Sequence, residues 1–274
     1  NATGYVPFSL GEMILLSLPL IVILYLIFAS VGIIRSKGKR LKKLLLFFIR
    51  PLSIASLAFF LYVTNCGVNY FSSDFTAMSG LKFTSPTTEQ LHEICVYLAD
   101  RASENRSELK ENKNGVTELD YQEMAEKTKN AVNNLHVQYN FIADGYSLPK
   151  SVLLSRGMSY LELLGVYFPW TFEANVNTDL RGYSMPFTMC HELSHLRGFM
   201  HEEDANFIAY LACIYSKDPA LRYSGYLSAV RYVSGYLRRS DMALYRDFQS
   251  HLSDGVYRDL IADSEYWTQF ETPI

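Results

Sequence analysis

Charge is missing from two long stretches of this 274-residue chain: residues 13–34 (MILLSLPLIVILYLIFASVGII) carry none, and neither do residues 51–71. A hydrocarbon core of roughly 30 Å needs about 20 residues at about 1.5 Å each, so both runs are long enough to cross a bilayer. A cleaved leader is not expected from the first, which is too long and follows Glu12 instead of a basic stretch. A basic excess is also missing, with 25 Lys and Arg against 28 Asp and Glu for a net charge of −3, which argues against a nucleic-acid partner. The four cysteines, Cys66, Cys95, Cys190 and Cys213, contain no CxxC pair, and their positions identify no disulfide. There is no internal repeat and no low-complexity tract.

What charge there is near the N-terminus is all of one sign. Between the two apolar runs, residues 35–50 (RSKGKRLKKLLLFFIR) hold seven basic side chains and no acid. Short basic loops stay in the cytoplasm and meet anionic headgroups. This predicts a multi-pass cell-membrane protein with a membrane region at 1–80, spans at about 13–34 and 51–71, and an extracytoplasmic domain at 81–274 contacting the bilayer. Because the chain begins with Asn1, further sequence upstream is expected.

Beyond a Ser- and Thr-rich link at 79–88, helical spacing runs through 87–110 and 121–139. Residues 163–180 (LLGVYFPWTFEANVNTDL) are aromatic, β-branched and broken by Gly and Pro, as in a short hairpin. Helices are then predicted at 187–197, 202–215, 226–237, 242–252 and 256–270. The fold class is mainly α (α+β), with two transmembrane helices followed by a mostly helical domain carrying a small hairpin or sheet.

Residues 191–195 read HELSH. On a helix His191 and His195 share one face, so both rings can reach one metal ion, with Glu192 beside them as a general base. Zn2+ lowers the pKa of a bound water toward about 7, which is the chemistry of zinc peptidases. The flanking residues 187–190 are uncharged, unlike those of a solvated helix. Cys190, about 100° around the helix from His191, is a poor ligand candidate.

The third ligand has alternatives. HExxHxxGxxH spans residues 191–201, which selects His201 as in metzincins, yet the later Met242 makes no convincing Met-turn. Glu202 is the other answer, with Glu203 behind it. If Glu202 opens a helix, Asn206 lies one turn on, as in the Glu-x-x-x-Asp of gluzincins, where the last residue orients a zinc-bound histidine. The spacing from His195 to Glu202 is shorter than in most gluzincins.

These residues, together with PFSLGE (7–12), GVNY (67–70), EANVN (173–177) and YSGYL (223–227), resemble a bacterial membrane family catalogued as domain of unknown function 3810. The resemblance covers nearly the whole chain. It implies HELAHxRGF followed by an acidic run and ANF, no histidine required at position 201, and therefore Glu202 as ligand. It further implies a membrane-bound metallopeptidase with a zincin-like domain, usually with one more N-terminal span.

Supporting roles follow from chemistry. TFEANVN (171–177) is the candidate edge strand for pairing with an extended peptide substrate. Tyr223, with Tyr226 as second choice, is the candidate oxyanion donor. Arg222 and Arg231 are candidates for a substrate carboxylate, whereas His92, His136 and His251 are isolated and not expected to bind metal. The predicted function is a membrane-anchored zinc metallopeptidase, the alternative a non-catalytic zinc-binding sensor or interaction domain.

Overall fold

A computed structural model describes residues 2–271. Two long helices come first: α1, Leu10–Arg35, and α2, Arg40–Asn65. Ser9 caps α1 by accepting from the Glu12 N–H at 2.9 Å. Both helices are long and apolar enough to cross a membrane. Their apolar side chains are exposed on all sides, as a lipid-facing helix requires. They lie against each other through Tyr25, which donates to the Phe47 carbonyl at 2.6 Å.

The basic segment is shorter as a loop than its composition implies. Only residues 36–39 connect the helices, with Gly38 at φ 77°, while Arg40, Lys42, Lys43 and Arg50 all belong to α2. Lys, Arg and Leu are good helix formers, so without Gly or Pro after Gly38 the chain re-enters helix at once. Pro51 sits inside α2 and does not open it.

The remainder is mostly helical around a small sheet: α3 Phe75–Ser79, α4 Thr88–Arg106, α5 Tyr121–Asn134, β1 Lys150–Ser151, α6 Ser155–Tyr160, β2 Gly165–Phe168, β3 Glu173–Val176, α7 Met185–Leu196, α8 Glu202–Ile214, α9 Pro219–Ser240, α10 Met242–Gln249 and α11 Asp254–Thr268. Helix α9 starts earlier than the spacing predicts because Asp218 caps it through the Ala220 and Leu221 N–H groups and Pro219 takes its first position.

Helix α7 is central. All its residues but His191 and Leu196 are buried, against α5, α8, α9 and the sheet. One apolar core gathers Met189, Leu193, Ile208 and Ala209, and a second joins α4 to α9 through Leu98, Leu227 and Val230. The sheet order is β1-β3-β2, with β1 parallel and β2 antiparallel to β3. This corrects the edge-strand expectation: 173–176 is the fully buried middle strand and β2 forms an edge.

The sheet also grips the two long apolar helices. Glu173 accepts from the Gly11 N–H at 2.8 Å and the Leu10 N–H at 3.1 Å, and is paired with the buried Lys150. Glu12 accepts from the Leu153 and Leu154 N–H groups at 2.9 and 2.7 Å. At the end of α2, Asn65 donates to the Pro169 carbonyl at 3.1 Å. The start of α1 and the end of α2 therefore meet the domain on the same side.

Candidate metal centre

Three side chains from two helices converge. His191 and His195 project from one face of α7, and Glu202 is the first residue of α8. The two Nε2 atoms are 3.0 Å apart, His191 Nε2 is 3.2 Å from Glu202 Oε2, and His195 Nε2 is 3.5 Å from Glu202 Oε1. Four ligands placed tetrahedrally at about 2.0–2.1 Å from zinc lie about 3.3 Å from one another, so this triangle has the size of a coordination shell.

The turn between α7 and α8 makes that triangle possible across so short a spacing. Arg197 ends α7, Gly198 takes φ 97°, its N–H returns to the His195 carbonyl at 2.9 Å, and the Phe199 N–H returns to that of Ser194 at 3.2 Å. This double return is the Schellman arrangement. It brings the Phe199 carbonyl 2.7 Å from His195 Nδ1, and α8 begins three residues later.

The hydrogen bonds behind the rings set their protons. Phe199 offers only a carbonyl, so His195 Nδ1 must donate to it, and His191 Nδ1 is 2.9 Å from the Asn206 amide oxygen. Both Nε2 lone pairs then face the shared centre. At 3.0 Å they repel unless a proton or a cation lies between them. Burial pushes His191 down, but the hydrogen bond to Glu202 and the charges of Glu192 and Glu202 leave it raised. His195 is lowered by burial and then by the neighbouring His191 charge. The hydrogen bond from His191 keeps Glu202 below the ordinary carboxylate range.

Glu192 stands beside this triangle, buried. Its Oε2 has no hydrogen-bond partner, and burial above all, with the Glu202 charge, raises its pKa to about 8 against the pull of His191. The backbone of β2 lies directly on it: a Cβ at Gly165 would come 2.5 Å from Glu192 Oε1. An orphaned buried carboxylate is costly, and its place next to three convergent ligands fits a site built to receive a cation and a polar reactant.

Other predicted residues fall elsewhere. His201 caps α8, and its Nε2 meets the Tyr70 carbonyl at 3.1 Å, turned away from the two histidines. Glu203 lies along an apolar groove instead. Tyr223 is fully buried and donates to Asp259 at 2.7 Å, within a cluster that also ties Arg106 and Thr117 to that aspartate. It cannot meet a substrate. Tyr226 is buried against Tyr97 and Tyr210. Arg222 bonds Asn105, and Arg231 pairs with Asp263 at the border of a second groove. His92, His136 and His251 engage Asp247, the Ile142 carbonyl and Asp100. All four cysteines are free and buried.

A residue the sequence reading missed is Tyr232 on α9. It lies exposed where two grooves meet: ≈480 Å³ lined by Ile94, Leu98, Phe207 and Val233, and ≈280 Å³ lined by Leu164, Thr188 and Arg231. Burial raises its hydroxyl pKa, and the side chain of Asn206, which lies against His191 Nδ1, opposes that shift. The edge of β2 borders the same site. The Asn177 N–H donates to the Leu164 carbonyl, and antiparallel pairing alternates, so Gly165 and Tyr167 turn their backbone groups away from β3.

A family model, described as protein of unknown function (DUF3810), matches residues 1–274. The chain belongs to that family. No curated protein and no solved structure matches it. For this DUF3810 protein the one metal-capable group among the described residues is therefore His191, His195 and Glu202, whose ligand atoms lie within 4.8 Å of one another.

Proposed function

We propose that this DUF3810 protein is a membrane-anchored zinc metallopeptidase with a zincin-like domain on the extracytoplasmic side. The observation that carries the reading is the pairing of a three-ligand triangle with a buried carboxylate that has no partner of its own. A site serving only structure would fill its fourth position with protein. His201, the nearest candidate for that place, is bonded to Tyr70.

Zinc held by His191, His195 and Glu202 would supply Lewis acidity and lower the pKa of a water toward about 7. The chain supplies the rest. Glu192 accepts the proton of the attacking water and passes it to the leaving amine. An extended polypeptide pairs with the open edge of β2 at Gly165 and Tyr167, which sets its backbone beside Glu192. The Tyr232 hydroxyl donates to the developing oxyanion, and the groove of Ile94, Leu98, Phe207 and Val233 receives an apolar side chain. Asn206 holds the His191 ring in orientation. Sidedness follows from the basic turn: residues 35–43 hold Arg35, Lys37, Lys39, Arg40, Lys42 and Lys43, which keeps that end of the helix pair in the cytoplasm and the domain opposite.

The test is hydrolysis of an unfolded protein substrate by the full chain in detergent, with and without a chelator. Activity is expected, lost on chelation and restored by zinc. In the same assay Tyr232→Phe is expected to lower kcat about a hundredfold with little change in KM and undiminished zinc. Chelator-resistant cleavage, or none from zinc-loaded protein over a broad substrate panel, would count against the reading.

A further inference from the structure

We propose that the turn between β2 and β3, residues 169–172, is a lipid-contacting wedge that sits at the polar boundary of the bilayer. The Trp170 indole N–H donates to the Ala58 carbonyl of α2 at 2.9 Å while its ring tilts against Tyr62 and Phe168. Ala58 precedes Asn65, the end of α2, by seven residues, about 10 Å of helix. The turn reaches that far down the side of a membrane helix.

The level of the bilayer can be counted from the opposite end. On α1, 20 residues back from Ile34 places the hydrocarbon boundary near Leu15, about 5 Å from Gly11 and Glu12, where the sheet grips the helix. On α2, the hydrocarbon begins either after Lys43, with Arg50 snorkelling, or after Arg50. About 20 residues then carry it to position 63, or past Asn65, the end of α2. Tyr25 meets Phe47 across the helix pair, so Leu15 is level with about position 57 of α2, and Ala58, with the indole bonded to it, sits at that boundary.

The chemistry of this face agrees. The carboxylates where the sheet meets the helices are paired: Glu173 is taken by Lys150, Thr171 and the Leu10 and Gly11 N–H groups, and Glu12 by Leu153 and Leu154, while the Thr171 carbonyl accepts from the Thr3 hydroxyl. The exposed side chains beside these contacts are apolar, with Leu153 at 79%, and Phe8, Leu154 and Trp170 each near half. Single exposed apolar residues are ordinary, but these are tied to the two helices, Phe8 through Lys150, Leu153 and Leu154 through Glu12, and Trp170 through Ala58, and continue their apolar surfaces. Lipid is the occupant that such continuity selects. An indole donating to a helix carbonyl at this depth also matches the interfacial preference of tryptophan.

The surface stands apart from the reading of the metal centre. If that reading holds, the four residues of β2 separate Gly165, on Glu192, from Phe168, on Gly11, by only about 10 Å, which draws substrates from polypeptides held at the bilayer.

The chain has two tryptophans, and the second, Trp267, sits in α11 among Tyr266 and Phe270. This allows a direct test on the full chain in phosphatidylcholine vesicles with and without bromine on the acyl chains. With Trp267→Phe, emission from Trp170 is expected to fall by more than about half in the brominated vesicles, while Trp170→Phe, leaving Trp267, loses little. Equal quenching of the two variants, or an unquenched Trp170, would overturn the proposal. Both substitutions keep an aromatic ring, and matching circular dichroism of the two variants confirms that the comparison is between folded proteins.

Discussion

Glu192→Gln is expected to retain one zinc per chain and to lower kcat about 10²–10⁴-fold, the range of a lost general base. Glutamine keeps the shape that fits beneath β2 at Gly165 but cannot take a proton. The same change is expected to stabilise the protein when metal is removed. Burial raises the Glu192 pKa from an ordinary 4.5 to about 8 in the fold. Between those values the unfolded chain has released its proton and the folded one has not, so stability falls as pH rises through that window. At pH 7 the difference amounts to roughly 3 kcal/mol in favour of glutamine, and it vanishes below about pH 4. Thermal unfolding of the chelated protein across pH measures it. A gap that widens toward low pH would contradict the assigned burial. The proposed general base thus costs stability in the metal-free fold.

The second large effect separates two neighbouring residues. Glu202→Ala is expected to weaken zinc binding by more than about a hundredfold, and His201→Ala to leave it within about threefold. Glu202 places both carboxylate oxygens within 3.5 Å of the histidine nitrogens, while the His201 ring stacks edge-on against Tyr70 at 5.6 Å. Competition against a chromophoric chelator reads both affinities. A greater loss for His201→Ala would restore the metzincin alternative and require the turn after α7 to rearrange.

Why one of these residues faces the site and the other does not was only partly legible in the sequence. Gly198 marked a helix stop under either alternative, but the choice depends on where the next helix starts. With His201 as cap and Glu202 as first helical residue, one position decides which side chain turns inward. The uncharged runs likewise disclosed two membrane-length helices. Their composition did not disclose that basic residues open α2, since lysine and arginine are compatible with loop and helix alike.

Two misplacements share a cause, the neglect of what lies on the other side of an element. Residues 173–176 were expected at an edge because only one hairpin was visible. The two residues of β1 are too few to carry a pattern, yet their pairing makes β3 the middle strand. Tyr223 and Tyr232 are nine positions apart on α9, and at about 100° per residue that is half a turn, so they occupy opposite faces. Tyr223 faces Asp259 and the core, and Tyr232 faces Asn206. Had Asp218-Pro219 been taken as the helix start, the buried positions Leu227 and Val230 would have assigned those faces in advance.

The proposed function rests on zinc held by His191, His195 and Glu202 in this DUF3810 protein. Elemental analysis of the purified full chain, alongside His195→Ala, tests it most directly. The account predicts about one zinc per unmodified chain and a near-complete loss in the variant. An unmodified chain without stoichiometric zinc, or a His195→Ala chain that keeps it, would contradict the account and leave HELSH as a buried helix with no metal.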